Sequence, residues 1–198
     1  MKLQHHRKHM SAIQLNLKPI IPHFTHEQFY ELCMANQDIA MERTVTGELI
    51  IMPSVGGERG EREADLITDL VIWNRQTQRG KVFSSSTVFK LPNGGDRSPD
   101  AAWVQLERWN ALTPKQRKKF PPLCPDFVIE LRSDSDRFNP LQDKMQEYLT
   151  SGLQLGWLIN PQRQTVEIYR PDQAVEVLTL PATLSGESVL PGLSMTLD

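Results

Sequence analysis

One acidic residue inside a strand-length apolar run constrains this chain more than any other feature. The run Asp126-Phe127-Val128-Ile129-Glu130-Leu131 has the length and apolar content of a central β-strand. A carboxylate in such a run is costly unless it is paired or bound to a cation. Glu130 therefore marks both a buried strand and a candidate site. Around it, segments of helical and strand character alternate, so the class is α/β or α+β. The spacing predicts helices over 25–36, with Thr25 and Gln28 as a capping box, over 58–75, over 105–119 and over 140–151. Strands are expected over 47–52, 81–91, 99–104, 126–131, 155–160, 165–170 and 175–180. The helix at 58–75 rests on Ala64, Ile67, Leu70, Val71 and Asn74, with Gly80 ending the segment. Asn93-Gly94-Gly95 is a turn signal.

The 198 residues suit a single domain, expected over 21–198 behind a loosely ordered tail at 1–20. A net charge of −2 gives no global basic field for coating nucleic acid, but leaves room for a local basic cleft. No run approaches the roughly 20 apolar residues that span a bilayer. The basic start lacks the apolar stretch of a secretory signal. Cys33 and Cys124 form no CxxC pair and read as free thiols of a reducing compartment, so a cytoplasmic location is expected. All five histidines precede residue 27. A Ser-His-Asp triad, a Cys-His dyad or an HExxH zinc site would have to draw its imidazole from that leading segment.

A partner acid for Glu130 follows from distance. Two ligands of one Mg²⁺ must lie within a few ångströms of each other, since each bond is about 2.1 Å. Asp126 lies roughly 13 Å along the same extended strand. Asp100, after Pro99, belongs to another strand, and neighbouring strands are about 4.8 Å apart. Asp100 is thus the expected partner and Asp126 a strand-start residue. Arg132, two residues after Glu130, is expected on the same face. Lys144 offers a second cation one helical turn before Tyr148. The basic run Lys115, Arg117, Lys118, Lys119 reads as a solvated helix face rather than a phosphate contact.

An ordered set of motifs adds a resemblance. Arg97-Ser98-Pro99-Asp100, then Cys124-Pro125-Asp126-Phe127-Val128-Ile129-Glu130-Leu131-Arg132-Ser133, then Lys144 with Tyr148, Gly152, and Trp157-Leu158-Ile159-Asn160-Pro161 resemble the Uma family. That family is described as putative restriction endonucleases within the PD-(D/E)XK nuclease superfamily. The tail, with Val166-Glu167-Ile168-Tyr169-Arg170-Pro171 and Val189-Leu190-Pro191-Gly192, extends the likeness from about residue 25 to the end.

The resemblance implies a restriction-endonuclease-like mixed β-sheet flanked by helices, with Mg²⁺ or Mn²⁺ at its acidic edge and DNA as substrate. It matches Asp100 and Glu130 to the two acids and puts Arg132 where the lysine usually stands. Arginine is not deprotonated in proteins, so Arg132 is expected to act electrostatically, with Lys144 substituting for the lysine. A first-helix acid is also implied. Glu63 fits best as a third metal ligand, with Glu58, Glu61 and Asp65 as rivals. Cleavage of two strands makes a homodimer the expected assembly. The rival readings are a non-catalytic DNA-binding or protein-interaction module on this fold, and a hydrolase acting on another substrate.

Overall fold

The computed structural model describes residues 12–134 and 136–198. Of the expected tail, residues 1–11 lie outside the described residues, and with them His5, His6 and His9. Ile13–Leu15 (β1) form a strand against Leu49–Ile51 (β3). Between them lie His26–Ala35 (α1) and Met41–Arg43 (β2). Thr25 accepts from the Gln28 amide while the Gln28 side chain accepts from the Thr25 amide, the expected capping box.

Gly57–Thr77 (α2) follows, then Gly80–Ser84 (β4) and Phe89–Lys90 (β5). The single strand expected over 81–91 is therefore two, broken where the Thr87 amide turns back to the Ser84 carbonyl. At the Gly-Gly turn, Gly94 adopts φ 98° and the chain enters Asp96–Arg97 (β6), then Ala101–Gln105 (β7). The helix expected over 105–119 is also two, Leu106–Ala111 (α3) and Pro114–Lys118 (α4). A second capping box, Thr113 with Gln116, and Pro114 at the first position restart the helix.

Phe127–Leu131 (β8), Phe138–Thr150 (α5) and Leu155–Asn160 (β9) form a parallel β-α-β unit. Thr165–Tyr169 (β10) and Glu176–Thr179 (β11) complete a meander. Ala182–Ser185 (β12) and Ser194–Leu197 (β13) form a closing hairpin that the sequence pattern did not reveal.

The central sheet has the order β11-β10-β9-β8-β7-β4, and only β8 and β9 run parallel within it. A second sheet has the order β1-β3-β2-β6-β5. Alternation along β8 sends Phe127, Ile129 and Leu131 towards Leu66, Leu70 and Trp73 of α2, with the closing hairpin beside them. Val128 faces Met145 and Tyr148 of α5, and Glu130 shares its parity. The buried face of α2 is thus rotated from the expected one. Asn74 lies at its polar border, where its side chain binds the Gly80 amide and carbonyl and accepts from Trp103 Nε1.

The helix ends at Gln78 in the left-handed region, φ 52°, rather than at Gly80. Gly80 serves a different purpose: a Cβ there would sit 2.3 Å from the Val104 carbonyl oxygen and 2.4 Å from the Trp103 ring. Gly80→Ala should therefore cost about 2 kcal/mol, while Gly60→Ala, in a helix with open space around it, should stabilise by about 0.5 kcal/mol. Denaturant melts of both variants check the contrast.

Candidate metal and nuclease site

The antiparallel register pairs Ala101 with Ile129 and Ala102 with Val128. Continued by one residue, it sets Asp100 opposite Glu130. Both are buried, at 8% and 3% exposure, at the strand ends that open into a cleft of about 1490 Å³. The cleft is bounded by Glu42, the 53–57 loop, the first turns of α2, the 132–137 loop and Lys144.

Each acid has its own cation. Arg59, from the first turn of α2, donates through Nη2 to Asp100 Oδ1 and Oδ2 at 2.8 and 2.9 Å. The Leu131 amide donates to Asp100 Oδ2 at 2.6 Å. Lys144 Nζ lies 2.8 Å from Glu130 Oε1 and 2.7 Å from Glu42 Oε1, and donates to the Ser98 carbonyl at 3.2 Å. Tyr148 donates its hydroxyl proton to Glu130 Oε1 at 3.0 Å. Lys144 and Tyr148 both meet Glu130 at Oε1.

A second tier supports the first. Arg97 binds Glu42 Oε2 at 3.0 Å and donates from Nε to Glu147 at 2.8 Å. The Ser98 amide donates to Glu42 Oε1 at 2.8 Å. Sequence reasoning missed Glu42 and Arg59, and named Arg97 only within the Arg97-Ser98-Pro99-Asp100 motif, without its partners Glu42 and Glu147. Glu42 sits in the three-residue strand Met41-Glu42-Arg43, too short to show a period, although two adjacent charges buried in it are the same kind of signal as Glu130. Asp126, by contrast, accepts from the Gln105 amide and from Arg108 at the far end of β8, a strand-start role.

The remaining expected residues are placed differently. Glu63 accepts from the Ser85 hydroxyl and lies 3.9 Å from Arg59. Burial raises the Asp100 carboxyl, and the nearby Glu63 charge adds a smaller upward push. Arg132 follows the end of β8, where strand alternation lapses. Its guanidinium donates to the Asp136 carbonyl and to Asn160 Oδ1 and lies over Phe138, not against Glu130. His26 pairs with Asp96, away from the cleft. Among the described residues, no cluster of three or more His, Cys, Asp and Glu side chains has metal-holding geometry. Asp100 and Glu130 are the two acids that the β7–β8 register brings together, and the Leu131 carbonyl, bound by Arg59, lies beside Asp100.

Burial pushes Glu130 up to about 8; Lys144 opposes the rise, and the charges of Asp100 and Glu42 add to it. Burial also raises Asp100, against the pull of Arg59. Burial works against the charge on Lys144, but Glu130 and Glu42 outweigh it and hold the ammonium well above its ordinary value. Glu42, though buried, is held low by Lys144 and Arg97.

A carboxyl raised in the folded state keeps a proton that the unfolded chain has lost, so its ionisation lowers stability as pH rises through that window. Between pH 5 and pH 8, wild type should lose stability relative to Glu130→Gln by more than about 1 kcal/mol. Paired denaturant melts in chelator at the two pH values read this difference. A gap that stays constant would show that Glu130 does not titrate there.

The whole of this site lies within residues 26–198, the segment that matches the Uma2 family model, described as "Putative restriction endonuclease". The fold is also that of a solved structure described as a putative nuclease belonging to DUF820 from Anabaena variabilis. The two chains are 22% identical with a TM-score of 0.67, over 79% of this chain and 86% of that one. No curated protein matches. With the model spanning 173 of its residues, the chain belongs to the Uma2 family of putative restriction endonucleases.

Proposed function

We propose that this protein is a divalent-metal-dependent endonuclease that hydrolyses DNA phosphodiester bonds, with Asp100 and Glu130 as the metal-binding acids. The observation that carries this reading is that Asp100 and Glu130, one residue beyond the Ala101–Ile129 pair of β7 and β8, are both buried and both line the cleft. The donors fit the ion. All are oxygens, the set that suits Mg²⁺ or Mn²⁺, and a guanidinium already stands among them as a positive charge on Asp100 and the Leu131 carbonyl. Glu63, on the next turn of α2, would be the third acid at the site's edge.

A bound Mg²⁺ or Mn²⁺ would lower the pKa of a water molecule and so supply the nucleophile. The protein's own residues would do the rest. Lys144, fixed between Glu42 and Glu130, presents a permanent ammonium beside the acids. It would orient the attacking water and offset the charge developing on phosphate. Held protonated, it cannot take the proton of that water, and neither can Arg132. Glu42 and Arg97 act through Lys144 by fixing its position. Arg62 and Arg137 line the same cleft and would meet the phosphate backbone. Two-strand cleavage with one site per chain calls for a homodimer.

The non-catalytic module is favoured by one observation: Arg132, in the place of the usual lysine, is tied to Asp136 and Asn160. A plasmid-nicking assay in Mn²⁺ separates the readings. Wild type should cut, and Asp100→Asn and Glu130→Gln should each lose at least about 100-fold in rate while keeping the wild-type circular dichroism spectrum. Full cleavage by either variant removes the mechanism. An inert wild type, with plasmid still bound, favours the module.

A further inference from the structure

Arg59 binds more than its carboxylate. While Nη2 spans both oxygens of Asp100, its Nε donates to the Leu131 carbonyl at 3.1 Å. Leu131 follows Glu130 directly and its amide also holds Asp100. One guanidinium therefore covers the oxygens through which Asp100 and its neighbouring carbonyl would meet a metal. Lys144 does not do this, since it reaches Glu130 from the α5 side and only at Oε1.

Arg59 is also the less confined of the two cations. Its side chain keeps 21% exposure, against 9% for Lys144. It springs from a glycine-rich helix start, where a Cβ added at Gly56, Gly57 or Gly60 would meet nothing within 4 Å. The side chain borders the cleft, with Arg62 on the next turn along the same wall. A guanidinium displaced from Asp100 would thus swing into the space where a phosphate would lie, and its planar fork suits phosphate as well as it suits carboxylate.

We propose that Arg59 is an internal cation that competes with the divalent metal for Asp100 and, once displaced, becomes a positioning ligand for substrate phosphate. This rests on the metal reading above. Two positive charges cannot share one small oxygen cluster without mutual repulsion, so metal entry and Arg59 release are linked. A phosphate that draws Arg59 away frees Asp100 for the ion, and an ion on Asp100 frees Arg59 for phosphate. Metal and nucleic acid would then bind with positive cooperativity, and the protein would hold metal weakly until substrate arrives.

The test is calorimetric titration of Mn²⁺ into wild type, Arg59→Gln, Arg59→Lys and Glu130→Gln without DNA, followed by nicking rates at saturating Mn²⁺. Arg59→Gln should bind Mn²⁺ at least about tenfold more tightly than wild type, because a charged contact from Nη2 to both Asp100 oxygens no longer has to be displaced. It should nonetheless cut at least about tenfold more slowly. Arg59→Lys keeps the charge without the fork. It should fall between the two on both measurements, and it serves as the test if the glutamine variant does not fold. A merely structural ion pair would not tighten metal binding when broken, so unchanged or weaker Mn²⁺ affinity in both variants overturns the proposal. Tighter binding with undiminished cutting overturns the phosphate role. If wild type binds Mn²⁺ through Glu130 but the Arg59 variants bind no tighter, the Arg59 proposal alone falls. If neither wild type nor Arg59→Gln binds Mn²⁺, the metal reading falls and takes this one with it.

Discussion

The structure depends on how a carboxylate is tolerated in the middle of its core sheet. Glu130 is buried on a central strand and can be there because Lys144 reaches it from α5. Lys144 is equally buried and needs Glu42 from β2, which needs Arg97 from β6, which needs Glu147 from α5. The chain of alternating charges thus passes through four elements and joins the second sheet to the first. Breaking a buried pair by removing one partner typically costs 3–5 kcal/mol (about the same as losing a large core side chain), because the other charge is left stranded. The two sheets are therefore held in register at the site by the same groups that define it. These pairs contribute orientation more than net stability, since desolvation offsets much of their attraction.

The charge balance of that network bears on its use. Glu42, Glu130 and Glu147 are acids; Lys144 and Arg97 are bases; Asp100 and Arg59 offset one another. Fully ionised, the group is one negative charge in excess, and the strain falls on Glu130, the carboxyl pushed up to about 8. A proton on Glu130 would relieve it. A divalent cation held by Asp100 and Glu130 would offset it more fully, so acids that resist joint ionisation are ones that a further positive charge would favour. This local excess lies within a protein of net charge −2, where arginines lining the cleft, not the whole surface, supply the field that a polyanion would meet.

Parts of this were legible in the sequence because they follow from local rules. An acid in an apolar run marked Glu130, and the strand spacing selected Asp100 over Asp126. The Thr25 capping box and the β8-α5-β9 unit also read directly. The same capping pattern at Thr113 was available but was hidden by the polar helical character on both sides of it. Arg132 was expected beside Glu130 because alternation was carried past Leu131, where the strand ends and the rule no longer holds. Glu42 and Arg59 were beyond reach for a different reason. Their roles depend on contacts with residues 41 to 102 positions away, made by long side chains from a three-residue strand and a helix start, and no period or motif records such a meeting.

The distribution of protons narrows the chemistry further. A hydrolysis needs an acceptor for the proton of the attacking water, and the nearest basic side chains are poor candidates. Lys144 is held charged by Glu130 and Glu42 against the effect of burial, and Arg132 is turned to Asp136 and Asn160. No imidazole lines the cleft among the described residues. The raised carboxyls, Glu130 and Asp100, can hold a proton but lose that capacity if they are to ligate a metal. An enzyme built on this site would therefore use these side chains to place charge rather than to take the proton of the attacking water. In the proposed reaction Lys144 would act by its charge and not as a general base, and its contacts with Glu42 and the Ser98 carbonyl would keep that charge at a constant distance from a phosphate in the cleft.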